Sequence, residues 1–237
     1  GLANLVAGLL DEGTTTRNAT QLAEQIEFVG GALEAKATHD FTTASTRILA
    51  KDTKLGFELL ADILLHPSFP ELELQRVRKL ILGEIIAQRD DPGAVAGKAF
   101  SQLVFTGHPY SWPVNGTEET LPAISRADVQ AFHAREYLPN QTILSVVGDV
   151  TVEQARSLID KHFGSWQKGP TPERTAASPA AIDKPVVKLI DKELSQTTLM
   201  LGHVGISRTN PDFYAVTVMN YILGAGGFSS RLVQKVR

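Results

Sequence analysis

The chain contains no cysteine, and this absence excludes three classes of site or fold. A disulfide-stapled fold, a zinc site with cysteine ligands and a thiol nucleophile all need that residue. The absence leaves the cellular compartment open, because a cysteine-free protein is compatible with both the cytoplasm and the periplasm.

Long apolar runs and strong charge are also missing. No apolar stretch reaches the ~20 residues that a membrane-spanning helix needs, so we expect no membrane span. The net charge of −3 argues against a nucleic-acid partner, because such proteins usually carry a basic surface. What is present is an ordinary globular composition of 237 residues, 43% hydrophobic and 21% charged, which fits one large domain or two smaller ones.

The hydrophobic pattern mixes helices and strands without a regular βαβ order, which predicts an α+β fold. Helices are expected over 2–11, 20–29, 52–65, 70–89, 93–105, 125–136, 151–163 and 211–223. Strands are expected as a pair within 32–49 and as the segments 142–147, 186–190 and 197–204. The stretch 171–184 contains two prolines and four alanines, and this composition predicts an exposed linker between 1–170 and 185–237.

The common catalytic motifs, including G-x-S-x-G, H-E-x-x-H and H-x-x-E-H, are absent. His133 and Glu136 have the spacing of a zinc helix, but Tyr137 stands where a second histidine would be needed. A solvated histidine at a helix end is the favoured interpretation. Glu84 lies beside apolar positions of the helix 70–89, where a carboxylate is costly unless it is paired, solvated or metal-bound.

Two further polar segments allow two interpretations each. His39 beside Asp40 fits an acid–base pair, and it fits a polar turn equally well. The glycine-rich segment 224–230 resembles an anion cradle at a helix N-terminus, but it lacks a lysine partner. A hinge between two helices is the favoured interpretation of that segment.

An ordered set of short motifs resembles the pitrilysin/insulinase family of zinc peptidases, the inverted zincins, and its branch similar to the mitochondrial processing peptidase. The motifs are Gly1-Leu2-Ala3, Gly13-Thr14, Gly30-Gly31-Ala32, His66-Pro67-Ser68-Phe69, Glu84-Ile85, Asp91-Pro92, His108-Pro109-Tyr110, Gly116-Thr117, Tyr137-Leu138-Pro139-Asn140, Val146-Val147-Gly148-Asp149 and Phe228-Ser229-Ser230-Arg231-Leu232. The resemblance implies a mixed, largely antiparallel sheet with helices packed on one face. It also implies two homologous domains, the first at 1–170 without its N-terminal strands and the second truncated at 185–237.

The main departure from the family concerns its His-x-x-Glu-His motif. Asn4 and Gly8 occupy the positions of the two zinc-binding histidines, and Ala7 occupies that of the general base. The third ligand of the family, a later glutamate, falls at Glu84 and is retained. A catalytic zinc ion usually needs three protein ligands, so the resemblance implies no metal, no cofactor and no catalytic residue in this chain.

The resemblance therefore predicts a non-catalytic subunit or domain of a zinc metallopeptidase. Relatives form two-subunit clamshells, so the expected partner is an active zinc-binding subunit in a heterodimer, and the expected ligand is a peptide. The resemblance implies that a loop facing the chamber supplies the candidate peptide-binding residues Gly224, Gly226, Gly227, Phe228 and Ser229. It also implies that an edge strand within 32–46 lies along the chamber, where main-chain pairing with a peptide is physically reasonable.

Three alternatives stay open. One is a purely structural scaffold subunit that does not handle peptide, and another is a stand-alone peptidase that uses His133, Glu136 and Glu84. The third concerns assembly, since the isolated chain could form a homodimer. Bacterial relatives occur on both sides of the inner membrane, so the resemblance predicts a soluble bacterial protein without choosing between periplasm and cytoplasm.

Overall fold

The computed structural model describes residues 1–171 and 178–236, which form two compact units. The first unit comprises Gly1–Ala180 with Val186–Met200, and the second comprises Ala181–Pro185 with Leu201–Arg237. The linker expected at 171–184 lies partly outside the described residues. Its role as a domain boundary stays a prediction.

Helices dominate both units. The elements of the first unit are α1 Leu2–Ala7, α2 Ala19–Phe28, β1 Ala32–Ala37, β2 Thr42–Arg47, α3 Thr53–Leu65, α4 Glu71–Ala87, α5 Pro92–Val104, α6 Arg126–Glu136 and α7 Val152–Phe163. Those of the second unit are α8 Phe213–Asn220, a π-helical turn at Tyr221–Ala225, a 3-10 turn at Gly227–Ser229 and α9 Arg231–Val236. Within the described residues, no helix is long and apolar enough to cross a bilayer.

Several helices begin at a capping box that the sequence makes visible. The Ser125 hydroxyl accepts a hydrogen bond from the Asp128 backbone N–H, and the Asp128 carboxylate accepts one from the Ser125 N–H. Thr151 and Gln154 form the same reciprocal pair at the start of α7. Each box satisfies backbone donors that the first helical turn leaves unpaired, which fixes where the helix begins.

The core of the first unit forms where several helices bury one face each. Its members are Leu5, Val6, Leu9, Leu10, Leu22, Ile26, Leu59, Leu60, Ile63, Phe69, Leu74, Val77, Ile81, Ile85, Leu121 and Val129. On α4 the buried residues recur every three or four positions, which is the spacing of one helical face. Each fully buried aliphatic side chain stabilises the fold by about 1.5–3 kcal/mol relative to exposure.

The strand pair expected within 32–49 is confirmed. β1 and β2 pair antiparallel, in a register that runs from Ala32 opposite Arg47 to Ala37 opposite Thr42. Leu33, Ala35 and Ala44 pack one face of this hairpin against the core. Helices and an antiparallel sheet in one chain confirm the α+β class.

Three other predicted strands are wrong for this structure. The segments 142–147, 186–190 and 197–204 have no regular secondary structure and form no ladder with any described residue. Several of their apolar side chains are exposed, including Ile143, Val187 and Leu199. An alternating hydrophobic pattern indicates that a segment favours burial in a sheet. A strand forms only where a second strand supplies the hydrogen-bond partners.

Candidate functional site

The positions expected to correspond to the lost zinc motif lie on α1 and at its C-terminal end. Asn4 and Gly8 are one helical turn apart on the same face, since the Gly8 N–H donates to the Asn4 carbonyl at 3.0 Å. Both are half-buried, whereas Ala7 is buried in the core. The helix contacts α6 and both strands of the hairpin, so its orientation is held from several sides.

Glu84 lies on α4, which passes beside Gly8. The Val77 Cγ1 atom stands 3.4 Å from the point where a Cβ atom would project from Gly8. Glu84 is two helical turns further along α4, about 10 Å along the helix axis. Its side chain is exposed, so the solvated alternative considered for this carboxylate describes its position.

These four positions do not fit a zinc ion. Zinc in proteins binds imidazole nitrogen, thiolate sulfur or carboxylate oxygen. Ala7 and Gly8 have no side-chain donor atom, Asn4 offers only an amide, and Glu84 offers one carboxylate. Across residues 1–171 and 178–236, no three histidine, aspartate or glutamate side chains cluster closely enough to hold a metal ion.

His133 is placed differently from the solvated helix end that its sequence favoured. Its Nε2–H donates to the Leu64 carbonyl at 2.9 Å, and its ring stacks on Tyr137 with centroids 4.7 Å apart. The ring also meets the edge of Phe69 at 5.5 Å. Burial lowers the pKa of this imidazole, and the bond to Leu64 only partly opposes that effect. His133 therefore anchors α6 to the end of α3.

The alternative site of His133, Glu136 and Glu84 is not assembled as a metal site in the described part of the chain. Glu136 forms an ion pair with Arg135 at 2.8 Å, and the His133 Nε2 atom is already bound to a carbonyl. Glu84 is exposed on a different helix. The structure thus gives this trio no common metal position.

The hairpin tip is attached to the segment 108–112, which the sequence did not indicate. The Tyr110 hydroxyl donates to the Asp40 carboxylate, and the His39 Nε2–H donates to the Trp112 carbonyl at 3.0 Å. The bond to Asp40 raises the pKa of the Tyr110 hydroxyl. Each member of the proposed acid–base pair is therefore bound to a separate group, as in the polar-turn interpretation. Residues so distant in sequence leave no local pattern that would reveal this contact.

The glycine-rich loop of the second unit consists of the π-helical turn followed by a 3-10 turn. Gly227 has a positive φ of 61°, a conformation that favours glycine. At Gly226 an added Cβ would stand 2.8 Å from the Tyr221 carbonyl oxygen, so this position also requires glycine. The Ser229 hydroxyl donates to the Gly226 carbonyl at 2.9 Å, and Phe228 is largely exposed. This geometry makes a tight, defined bend between α8 and α9.

Two family models match adjacent parts of the chain. One, described as insulinase (peptidase family M16), matches residues 1–118, and the other, described as the peptidase M16 inactive domain, matches residues 123–237. Together they cover nearly all of the sequence. The chain belongs to peptidase family M16. This confirms the resemblance to the pitrilysin/insulinase family.

Curated relatives of this M16 chain bear the name of uncharacterized zinc proteases. One from Mycobacterium leprae is 32% identical over 242 residues, which cover 100% of this chain and 54% of the relative. One from Rickettsia bellii is 31% identical over 237 residues, covering 100% of this chain and 57% of the relative. The chain thus spans little more than half the length of the relatives it matches.

Solved structures agree with the family. The peptidase M16 inactive domain from Pseudomonas fluorescens superposes with a TM-score of 0.84 at 27% identity, covering 100% of this chain and 57% of that one. The periplasmic protease PqqL from Escherichia coli gives a TM-score of 0.68 at 20% identity, covering 76% of this chain and 21% of that one. The second likeness concerns the fold alone.

Proposed function

We propose that this chain is a non-catalytic part of an M16 zinc peptidase that completes the chamber and binds peptide for an active partner. The observation that carries the proposal is the donor set on α1. Asn4, Ala7 and Gly8 occupy the motif positions and cannot supply two imidazoles and a general base. Without those groups the helix can neither hold a catalytic zinc ion nor activate a water molecule.

The packing around α1 supports this proposal. Ala7 is only 1% exposed, so its methyl group contributes to the core rather than to an open cleft. At position 8 an added Cβ atom would stand 3.4 Å from the Val77 Cγ1 atom, which is ordinary van der Waals contact. Ala7 is thus packed as a structural residue. The likeness to the M16 inactive domain from Pseudomonas fluorescens is consistent with the same interpretation.

Peptide binding is supported by the hairpin. Among the described residues, β1 and β2 pair only with each other, so each strand keeps one edge of unpaired backbone groups. An extended peptide can add to such an edge through main-chain hydrogen bonds. In this proposal Gly224, Gly226, Gly227, Phe228 and Ser229 form a second peptide-contacting element, through accessible backbone and the exposed Phe228 ring.

Zinc binding tests the loss of the metal site. We expect the purified protein to retain substoichiometric zinc after incubation with the metal and desalting. The matched variant Asn4→His/Gly8→His leaves the buried Ala7 unchanged and should retain zinc. Adding Glu84→Gln to it should weaken retention by at least the roughly 10–100-fold that loss of an outer-shell partner costs. Stoichiometric zinc in the unmodified protein would contradict the proposal.

A mixing assay tests the partner role. The protein alone should not hydrolyse a quenched fluorescent peptide, and the activity of a catalytically competent M16 subunit should rise when the protein is added. A stable complex without any rise in activity, and without peptide binding, would instead favour the structural scaffold. Hydrolysis by the protein alone would favour the stand-alone peptidase. A complex that forms only between copies of this chain would favour the homodimer.

A further inference from the structure

The first unit holds an open groove of about 460 Å³ between the end of α4, α5, the loop at 113–116 and the segment at 188–190. Its charged lining residues are Arg89, Lys98 and Lys188, and none of the described lining residues is acidic. The volume is in the range of typical ligand pockets. No local sequence pattern reveals these three cations as a group, because they lie on separate elements.

Two of the three cations are available to a ligand. Arg89 forms an ion pair with Glu118, whereas Lys98 and Lys188 have no ion-pair partner within residues 1–171 and 178–236. Lys192 donates to the Arg89 carbonyl, which ties the segment carrying Lys188 to the end of α4. The groove therefore combines a wall tied by this hydrogen bond with two ammonium groups that form no ion pair with a described residue.

The positive charge of Lys98 and Arg89 affects the Glu119 carboxylate of the chain itself. The pKa of Glu119 is lowered, chiefly by the hydrogen bond from the Thr117 hydroxyl and by its own backbone N–H, and further by the charges of Lys98 and Arg89. The same cations act on any carboxylate that enters the groove. The field inside the groove therefore favours a negatively charged oxygen group over a neutral one.

The remaining lining is apolar or uncharged, which narrows the ligand class. Ile85, Val95 and Ile190 provide aliphatic surface, and Asn115 provides an amide that can donate and accept hydrogen bonds. An inorganic anion would leave the aliphatic surface unused. The overall charge of −3 and the small number of cations do not fit a polyanion such as nucleic acid.

The groove adjoins Glu84 on α4 and the start of α1. Ile85 follows Glu84 directly in α4, and Asn115 and Gly116 lie against Gly1 at the start of α1, at distances of 3.0 and 3.1 Å from its added Cβ position. A peptide that runs along the hairpin side of α1 would thus have a charged groove within the same unit. This makes a peptide a more fitting ligand than a free small molecule.

We propose that this groove binds an acidic side chain of an extended peptide, with neighbouring aliphatic side chains resting on its apolar lining. The inference rests on the proposed peptide-binding function and names the substrate class that it would prefer. Lys98 and Lys188 supply the charge, and the aliphatic lining residues supply the apolar contact. Acidic–aliphatic peptides should be held in preference to basic ones.

Fluorescence anisotropy with labelled, end-capped peptides tests the inference on the full chain. Ala-Leu-Glu-Leu-Ala should bind about fivefold tighter than the same peptide with glutamine in place of glutamate. The Lys98→Gln/Lys188→Gln variant should lose this difference and bind both peptides equally. The control Lys79→Gln makes the same kind of charge change at an exposed position of α4 outside the groove, and it should keep the preference.

The possible results separate this inference from the proposed function. If the glutamate and glutamine peptides bind equally to the unmodified protein, the charge preference is wrong while peptide binding stands. If neither peptide binds, both proposals fail. If the double variant unfolds, a peptide with lysine in place of glutamate serves instead, and binding of that peptide as tightly as the glutamate peptide would overturn the inference. Competition by inorganic phosphate at equal concentration would also overturn it.

Discussion

Leu5 and Ile143 are aliphatic residues of the same unit, and their surroundings are opposite. Leu5 on α1 is fully buried, whereas Ile143 in the irregular segment 142–147 is 96% exposed. α1 is enclosed by α6 and the hairpin, but the segment 142–147 has no strand partner among the described residues. The comparison shows that hydrophobicity alone does not decide burial. The neighbouring elements decide it.

The largest expected effect is the loss of a core side chain. We expect Leu5→Ala to lower the free energy of unfolding by about 4 kcal/mol, because it removes buried methyl groups and leaves a cavity. Urea denaturation monitored by circular dichroism measures this. The control Leu72→Ala makes the same chemical change at a site that is 78% exposed on α4, and it should cost less than about 0.5 kcal/mol. Equal losses in both variants would refute the proposed difference in burial.

A buried ion pair gives the next largest effect. The Asp62 carboxylate, 6% exposed, accepts hydrogen bonds from Arg17 at 2.8 Å and from the Thr14 hydroxyl at 2.8 Å. Asp62→Ala removes this buried partner and leaves the Arg17 guanidinium with its ion pair to Glu58, so we expect a loss of about 2 kcal/mol. Calorimetric or chemical unfolding provides the measurement.

The matched control for Asp62 is a pair that is more exposed than Arg17–Asp62. Glu73 and Arg76 form an ion pair at 2.6 Å on the surface of α4, with Arg76 about half exposed. Glu73→Ala should cost no more than about 1 kcal/mol, because solvent screens such pairs. If it costs as much as Asp62→Ala, burial is not what gives the Arg17–Asp62 pair its strength.

A smaller effect concerns the pH dependence of stability. Burial holds the pKa of His133 below its ordinary value of 6.5, so the unfolded chain binds a proton more readily than the folded one. Stability should therefore fall as the pH drops below 6.5, and His133→Gln should flatten this slope. The pKa of His162 is also lowered, so part of the slope should remain. Unfolding measured from pH 5 to 8 would contradict the prediction if the two proteins gave parallel curves.

The local features of the fold were predictable, and the long-range ones were not. Helix periodicity and capping pairs such as Ser125 with Asp128 act within a few residues, so the sequence contains their full cause. The strand expected at 142–147 depended on a partner that no local pattern identifies. Its apolar residues indicate a tendency to be buried, and that tendency does not by itself supply a strand to pair with.

The features of the candidate site also fall into those that the sequence predicts and those that only the fold reveals. The absence of donor atoms at Ala7 and Gly8 could be recognised from the residues alone, because it is a matter of side-chain chemistry. The hydrogen-bond partner of His133 could not be recognised from the residues alone, because the Leu64 carbonyl lies on another helix, 69 residues away in sequence. The cations Lys98 and Lys188 also converge only through the fold. Sites built from distant residues need the structure to bring them together.

The smallest expected effect returns to the segment 142–147. Ile143→Thr should change the free energy of unfolding by less than about 0.5 kcal/mol, because the side chain is already in solvent and both residues are β-branched. Chemical denaturation at two protein concentrations is the measurement. A loss well above that value would mean that the segment is covered in solution. If the loss also grew with protein concentration, a second copy of the chain would be the covering element, because association stabilises a fold by mass action.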